Sequence, residues 1–254
     1  MTASARKRVL LVSLAGDDPS LDPARFDRIA DTTDDAVWFG NRLRELGLID
    51  AIAFRTVQAF RGEALPDPED VDAVFIGGSY HSINERLSWQ LTTMAWLERY
   101  RATGKPALGV CAGHQMMSVM FDGRVGAVET GRCVGSIPVT LSAAGRGHYL
   151  FEDFEPVSEF NHGNTERVVE PPGGAVSLAS TDVDPTVALD YGGDWVSVQF
   201  HPEMTEEVMV TYFALTHPHL VHRFHPLPEA KRLIANFLKG TGIVDGRTAS
   251  TDAR

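Results

Sequence analysis

Two cysteines occur in this chain of 254 residues, Cys111 and Cys133, and the first sits where chemistry is expected. Cys111 follows an apolar run at 107–110 and lies between two glycines in Gly109-Val-Cys-Ala-Gly-His-Gln115. A nucleophile must project from a sheet toward its substrate. A sharp strand-to-helix turn flanked by small residues does this. The helix that follows points its first N–H groups back at the sulfur, and that field favours thiolate over thiol. A buried structural cysteine in a Gly-rich turn is the plainer alternative. The glycine bracket at the end of an apolar strand favours the nucleophile.

The partner chemistry lies in Val196-Ser-Val-Gln-Phe-His-Pro-Glu203. In extended backbone, His201 and Glu203 project to the same side. Pro202 between them fixes its own φ and biases His201 toward extended geometry. A carboxylate so placed holds the imidazole's tautomer and stabilises its protonated form. A lone His-Pro-Glu is weak evidence, since such residues at a loop edge are usually just solvated. Its weight comes from pairing with Cys111.

Together these segments resemble the class I (triad) glutamine amidotransferases, such as the glutaminase domains of GMP synthetase and carbamoyl phosphate synthetase. The order also agrees, with the His-x-Glu segment about ninety residues after the cysteine. The resemblance runs from about Arg8 to Glu203 and through the last helix. It implies a catalytic triad of Cys111, His201 and Glu203, no cofactor, and glutamine as substrate. Phe75-Ile-Gly-Gly78 is similar to the family's oxyanion strand, so Gly78 and Ala112 would supply the backbone donors for the tetrahedral oxyanion. Gln115 matches a residue that contacts the glutamine. Asn161, Gly163 and Asn164, in Asn161-His-Gly-Asn164, match the segment that grips its backbone groups. The sequence departs from the family at Ser79, where proline is usual, and the hole is therefore expected to be less rigid.

The expected reaction is acyl transfer to water through a γ-glutamyl thioester on Cys111, with ammonia released. Family members usually hand ammonia to a synthetase. No ATP-binding segment follows Glu203, and no G-x-x-x-x-G-K phosphate loop occurs. A separate synthetase partner is therefore expected. Two rivals are a stand-alone γ-glutamyl hydrolase or peptidase and a non-catalytic binding protein on the same fold. A related cysteine family carries histidine directly after the nucleophile; Ala112 stands there instead.

The elements that must position these residues read as follows. Apolar runs at 9–14, 51–55, 71–76 and 107–110 suit parallel strands covered on both faces. Helical spacing covers 35–46, ended by Gly47, then 86–100 with Leu87, Leu91, Met94 and Leu97 on one side, and 113–121. Alternation of strand and helix implies βαβ units. The expected fold is α/β: three layers, a mostly parallel central sheet flanked by helices, flavodoxin-like as the resemblance implies. The second half is β-rich, with short strands at 134–141, 157–160, 175–180, 186–191 and 195–200, continuing the same sheet. A last helix spans 228–239. One domain is expected, ordered over about 8–240, with a flexible tail at 241–254.

Two stretches exceed the family's usual lengths. Residues 17–34 read as a long loop. The segment after Glu203 contains Thr216-His-Pro-His-Leu-Val-His-Arg-Phe-His225 and reads as a surface or interface excursion. Prolines interrupt any helix there, and no metal is expected. The net charge of −11 and the absence of a Lys/Arg cluster exclude a nucleic-acid binder. No stretch approaches the ~18 unbroken apolar residues of a membrane span. So few cysteines point to a reducing, cytoplasmic setting.

Overall fold

A computed structural model describes residues 5–15 and 35–245. The expected loop at 17–34 lies outside the described residues, as does the tail beyond 245. The described residues form a nine-stranded sheet of order β2-β1-β3-β4-β11-β10-β9-β6-β7. Its first half comprises β1 (Lys7–Ser13), β2 (Ile52–Gln58), β3 (Ala73–Ile76) and β4 (Ala107–Val110). These pair in parallel, and β11 (Trp195–Val198) joins β4 in the same sense. The helices between them are α1 (Asp35–Glu45), α2 (Ser88–Arg101) and α3 (Ala112–Met120).

The continuous apolar runs have a simple cause. Successive side chains in a strand alternate between faces, and both faces here are covered. Val9, Leu11, Ala73 and Phe75 enter one core with Phe39 and Leu43 of α1. Leu10, Val12, Val74 and Ile76 enter the other with Trp96, Leu97 and Tyr100 of α2 and Met116 and Met117 of α3.

The second half adds β6 (Cys133–Leu141), β7 (Val157–Asn164), β9 (Val176–Ser180) and β10 (Ala188–Asp190). All of these pair antiparallel, so the sheet as a whole is mixed. A small separate ribbon, β5 (Arg124–Ala127) with β8 (Glu166–Glu170), was not expected. A short helix α4 (Ala143–Arg146) follows β6.

Three expectations need correction. On α2 the buried side is Gln90, Thr93, Trp96, Leu97 and Tyr100, while Leu91 is 41% exposed. The segment after Glu203 is not a plain surface excursion: it forms α5 (Glu206–Thr216), with Val208, Met209, Thr211 and Phe213 buried. After α6 (Arg232–Gly240), packing does not end at 240; Ile243 and Val244 are buried against the core of α1 and α6. Among the described residues, no helix is long and apolar enough to cross a membrane.

Candidate active site

Strand β4 delivers Cys111 to the N-terminus of α3 through one abrupt turn. Cys111 has φ 53° and ψ −106°, a conformation that L-residues rarely adopt and that costs about 1–3 kcal/mol. Its surroundings enforce it. The Cys111 N–H donates to the Val198 carbonyl at 2.9 Å, its carbonyl accepts from Gln115 N–H at 3.1 Å, and Gly113 N–H donates to the Gly77 carbonyl at 3.0 Å. Both bracketing glycines are sterically required. A Cβ on Gly113 would lie 2.3 Å from the Ile76 carbonyl oxygen, and one on Gly109 would lie 2.6 Å from Met117 Sδ and 2.8 Å from the Gly113 carbonyl. Helix α3 therefore packs directly on the ends of β3 and β4, which holds the cysteine at the sheet's carboxyl edge.

His201 and Glu203 follow β11, the neighbour of β4. The His201 N–H donates to the Asn161 carbonyl at 2.9 Å. Its Nδ1 lies 2.7 Å from Glu203 Oε1, with the two residues 6% and 2% exposed. Burial disfavours the imidazolium. The negative charges of Glu203 and Cys111, and hydrogen bonds to both, outweigh that and hold the His201 pKa well above its ordinary value. The second Glu203 oxygen has no partner among the described residues. Gly78 abuts both reactive groups: a Cβ there would lie 3.3 Å from His201 Cε1 and 3.7 Å from Cys111 Cβ.

Cys111, His201, Glu203, Gly78 and Gly163 line one cleft of about 600 Å³, part of it open to solvent. A low-exposure thiol, an imidazole with a raised pKa and a buried carboxylate thus share one cleft. A family model described as glutamine amidotransferase class-I matches residues 41–214. The chain belongs to this family.

Its relatives divide by activity. It is 30% identical over 167 residues to the glutamine amidotransferase-like protein chry6 of Gibberella zeae, covering 64% of this chain and 67% of that one. It is 27% identical to gamma-glutamyl peptidase 5 of Arabidopsis thaliana, over 57% of this chain and 59% of the peptidase. It is 31% identical to a GMP synthase of Aeropyrum pernix, over 64% of this chain but only 30% of the synthase. A solved glutamine amidotransferase from Methylobacillus flagellatus shares the fold with a TM-score of 0.72, 16% identity, and coverage of 98% and 100%.

Within this class I glutamine amidotransferase, the expected substrate-gripping residues divide. Gly163 lines the cleft, and a Cβ there would meet Met209 Cε at 3.4 Å and Phe213 at 3.6 Å. The described lining does not include Gln115, Asn161 or Asn164. The Gln115 amide donates to the Glu166 carbonyl at 2.9 Å and to Gln199 Oε1 at 3.1 Å. Asn164 donates to the Glu166 carbonyl at 2.9 Å. Asn161, 1% exposed, accepts from Ser136 Oγ at 3.0 Å and donates to the Met204 carbonyl at 3.2 Å, while its own carbonyl holds His201. These contacts brace the segment that carries His201. Ala112, 2% exposed, opens α3 directly after the cysteine.

Ser79 supplies its own brace, because its Oγ accepts the His81 N–H at 3.0 Å. Sequence reasoning missed Asp35 and Trp38 at the start of α1, Tyr80, and the α5 residues Val208, Met209, Tyr212 and Phe213, all of which line the cleft. The signal for α5 was present. Thr205 Oγ caps it, accepting from Val208 N–H at 3.3 Å, and Glu206 and Glu207 occupy its first turn. The four histidines of 217–225 do not gather: His225 lies 3.0 Å from Glu159, and His217 faces His219 at 6.2 Å between ring centres.

Proposed function

We propose that this protein hydrolyses γ-glutamyl amides through a thioester on Cys111, in one domain with Cys111, His201 and Glu203 as the triad. The observation that carries the reading is Cys111 held at positive φ in the same cleft as the buried 2.7 Å His201–Glu203 pair. The Cys111 thiolate attacks the Cδ carbonyl carbon, and a C–S bond forms. The oxyanion is received by the N–H groups of Gly78 and Ala112. As the tetrahedral species collapses, the C–N bond breaks and His201 gives its proton to the leaving nitrogen. His201 then takes a proton from water, which attacks the thioester. Glutamate leaves, and thiolate and imidazolium are restored. Glu203 orients His201 throughout.

Glutamine is the simplest such substrate. The relationship to GMP synthase supports ammonia delivery to a separate synthetase. A second reading is a stand-alone γ-glutamyl hydrolase. It is supported by the similarity to gamma-glutamyl peptidase 5. The test is glutamate release from glutamine by the wild type and by Cys111→Ala. The reading expects release only in the wild type, and equal release by both proteins overturns it.

A further inference from the structure

The buried side of α3 carries polar side chains that the triad chemistry does not use. His114, Ser118 and Ser197 are wholly inaccessible to solvent. His114 Nδ1 lies 2.7 Å from Ser197 Oγ. The Tyr191 hydroxyl lies 2.9 Å from Ser197 Oγ and 2.8 Å from Ser118 Oγ. Ser118 Oγ in turn donates to the His114 carbonyl at 2.9 Å, so the four residues close a ring of hydrogen bonds. Burial pulls the His114 pKa down to about 3, against a smaller rise from the Thr186 backbone, and the imidazole is neutral.

The ring joins the two elements that bring the triad together. His114 stands three residues after Cys111 on α3, and Ser197 stands four residues before His201 on β11. Ser197 pairs with Gly109 across β4 and β11. The close approach of Gly109 to Gly113 sets α3 near enough to the sheet for the His114 ring to reach Ser197. Met116 and Met117 of the same helix also pack on the sheet, but through apolar contact, which is non-directional. A buried network of satisfied polar groups specifies one arrangement. We propose that His114 and Ser197 are positioning residues. Their hydrogen bond fixes the helix that carries Cys111 against the strand that leads to His201, and so sets the separation of sulfur and imidazole. The proposal rests on the triad reading and adds to it two residues buried out of reach of substrate.

The experiment compares His114→Leu, His114→Asn and Ser197→Ala with the wild type in the full chain, well below each variant's Tm. Leucine keeps apolar volume at the site; asparagine keeps a polar atom near the position of Nδ1 but leaves a void. Glutamate release from glutamine gives kcat and KM, and the rate of Cys111 alkylation by iodoacetamide, read by peptide mapping, probes the sulfur without any substrate. His114→Leu and Ser197→Ala are expected to lose roughly 10- to 100-fold in kcat with KM within about threefold, the cost of a small misplacement of reacting groups. Both should also slow alkylation. His114→Asn is expected to recover kcat and alkylation to within about threefold of wild type, although its void lowers Tm further than leucine does. Should one histidine variant fail to fold, Ser197→Ala carries the same kcat, KM and alkylation readout. Wild-type kcat and alkylation in His114→Leu or Ser197→Ala, or rates that follow Tm rather than the polar atom, overturn the proposal and leave the triad reading intact. Glutamate release that persists in Cys111→Ala overturns the triad reading instead.

Discussion

Replacing Glu203 by glutamine isolates the charge that keeps His201 protonated. The two groups meet at 2.7 Å and are almost wholly buried. Burial pulls the imidazole pKa down, and Glu203 is the foremost influence raising it. With the charge gone, burial acts against Cys111 alone, and the His201 pKa falls. A buried charged hydrogen bond contributes roughly 1.5–3 kcal/mol, which alone is about 10- to 150-fold in rate. Loss of the correct tautomer extends this toward roughly 10⁴-fold. The assay is glutamate release between about pH 5.5 and 9.5, with the initial rate of Cys111 alkylation by iodoacetamide over the same range. The account expects Glu203→Gln to lose at least about tenfold in kcat and to displace the alkylation profile. A variant within roughly threefold of wild type with an unmoved profile refutes the reasoning.

Further outcomes follow from the same geometry. Cys133 is buried and its thiol pKa is pushed up to about 11, by burial first and the Asp184 charge second; mass spectrometry after iodoacetamide at neutral pH should find one labelled cysteine, Cys111. Gly113→Ala forces a Cβ to within 2.3 Å of a backbone oxygen; the strain, about 3 kcal/mol or more, should lower Tm by roughly 6–12 °C in a melting scan. Asn161→Ala removes the side-chain partner of the Met204 carbonyl and one partner of Ser136 Oγ, which keeps the His225 N–H; the account expects a loss of about 1–3 kcal/mol of stability and a fall in kcat greater than the rise in KM. The raised pKa of His201 makes its ion pair a stabilising contribution that is full below the ordinary value of 6.5 and lost as pH rises through the higher folded value. The Tm gap between wild type and His201→Gln should therefore narrow as pH rises.

The parallel half of the fold was legible because its strands are covered on both faces, so apolar run and strand coincide. The face of α2 was not, because its buried side uses polar atoms that find backbone partners. Trp96 Nε1 donates to the Pro66 carbonyl at 2.6 Å, Tyr100 to Pro106 at 3.0 Å, and Gln90 to Ser82 at 2.9 Å. Counting apolar residues therefore selected Leu91, which faces solvent. Helix α5 was hidden because its sequence after Glu207 is apolar on every side apart from Thr211 and Thr216 and so carries no amphipathic period, although its cap was readable. That Cys111, His201 and Glu203 share one cleft was readable because the turn and the His-Pro-Glu step impose their own geometry. The hydrogen bonds of Gln115 and Asn161 were not, because they run to the carbonyls of Glu166 and Met204, which are distant in sequence.

Covalent trapping tests the central claim most directly. The chain is incubated with a glutamine-shaped chloroketone and analysed by intact mass and peptide mapping. The account predicts one adduct, on Cys111, formed in step with loss of γ-glutamyl amide hydrolysis and absent from Cys111→Ala. An adduct on another residue, or hydrolysis that survives complete modification of Cys111, would contradict it.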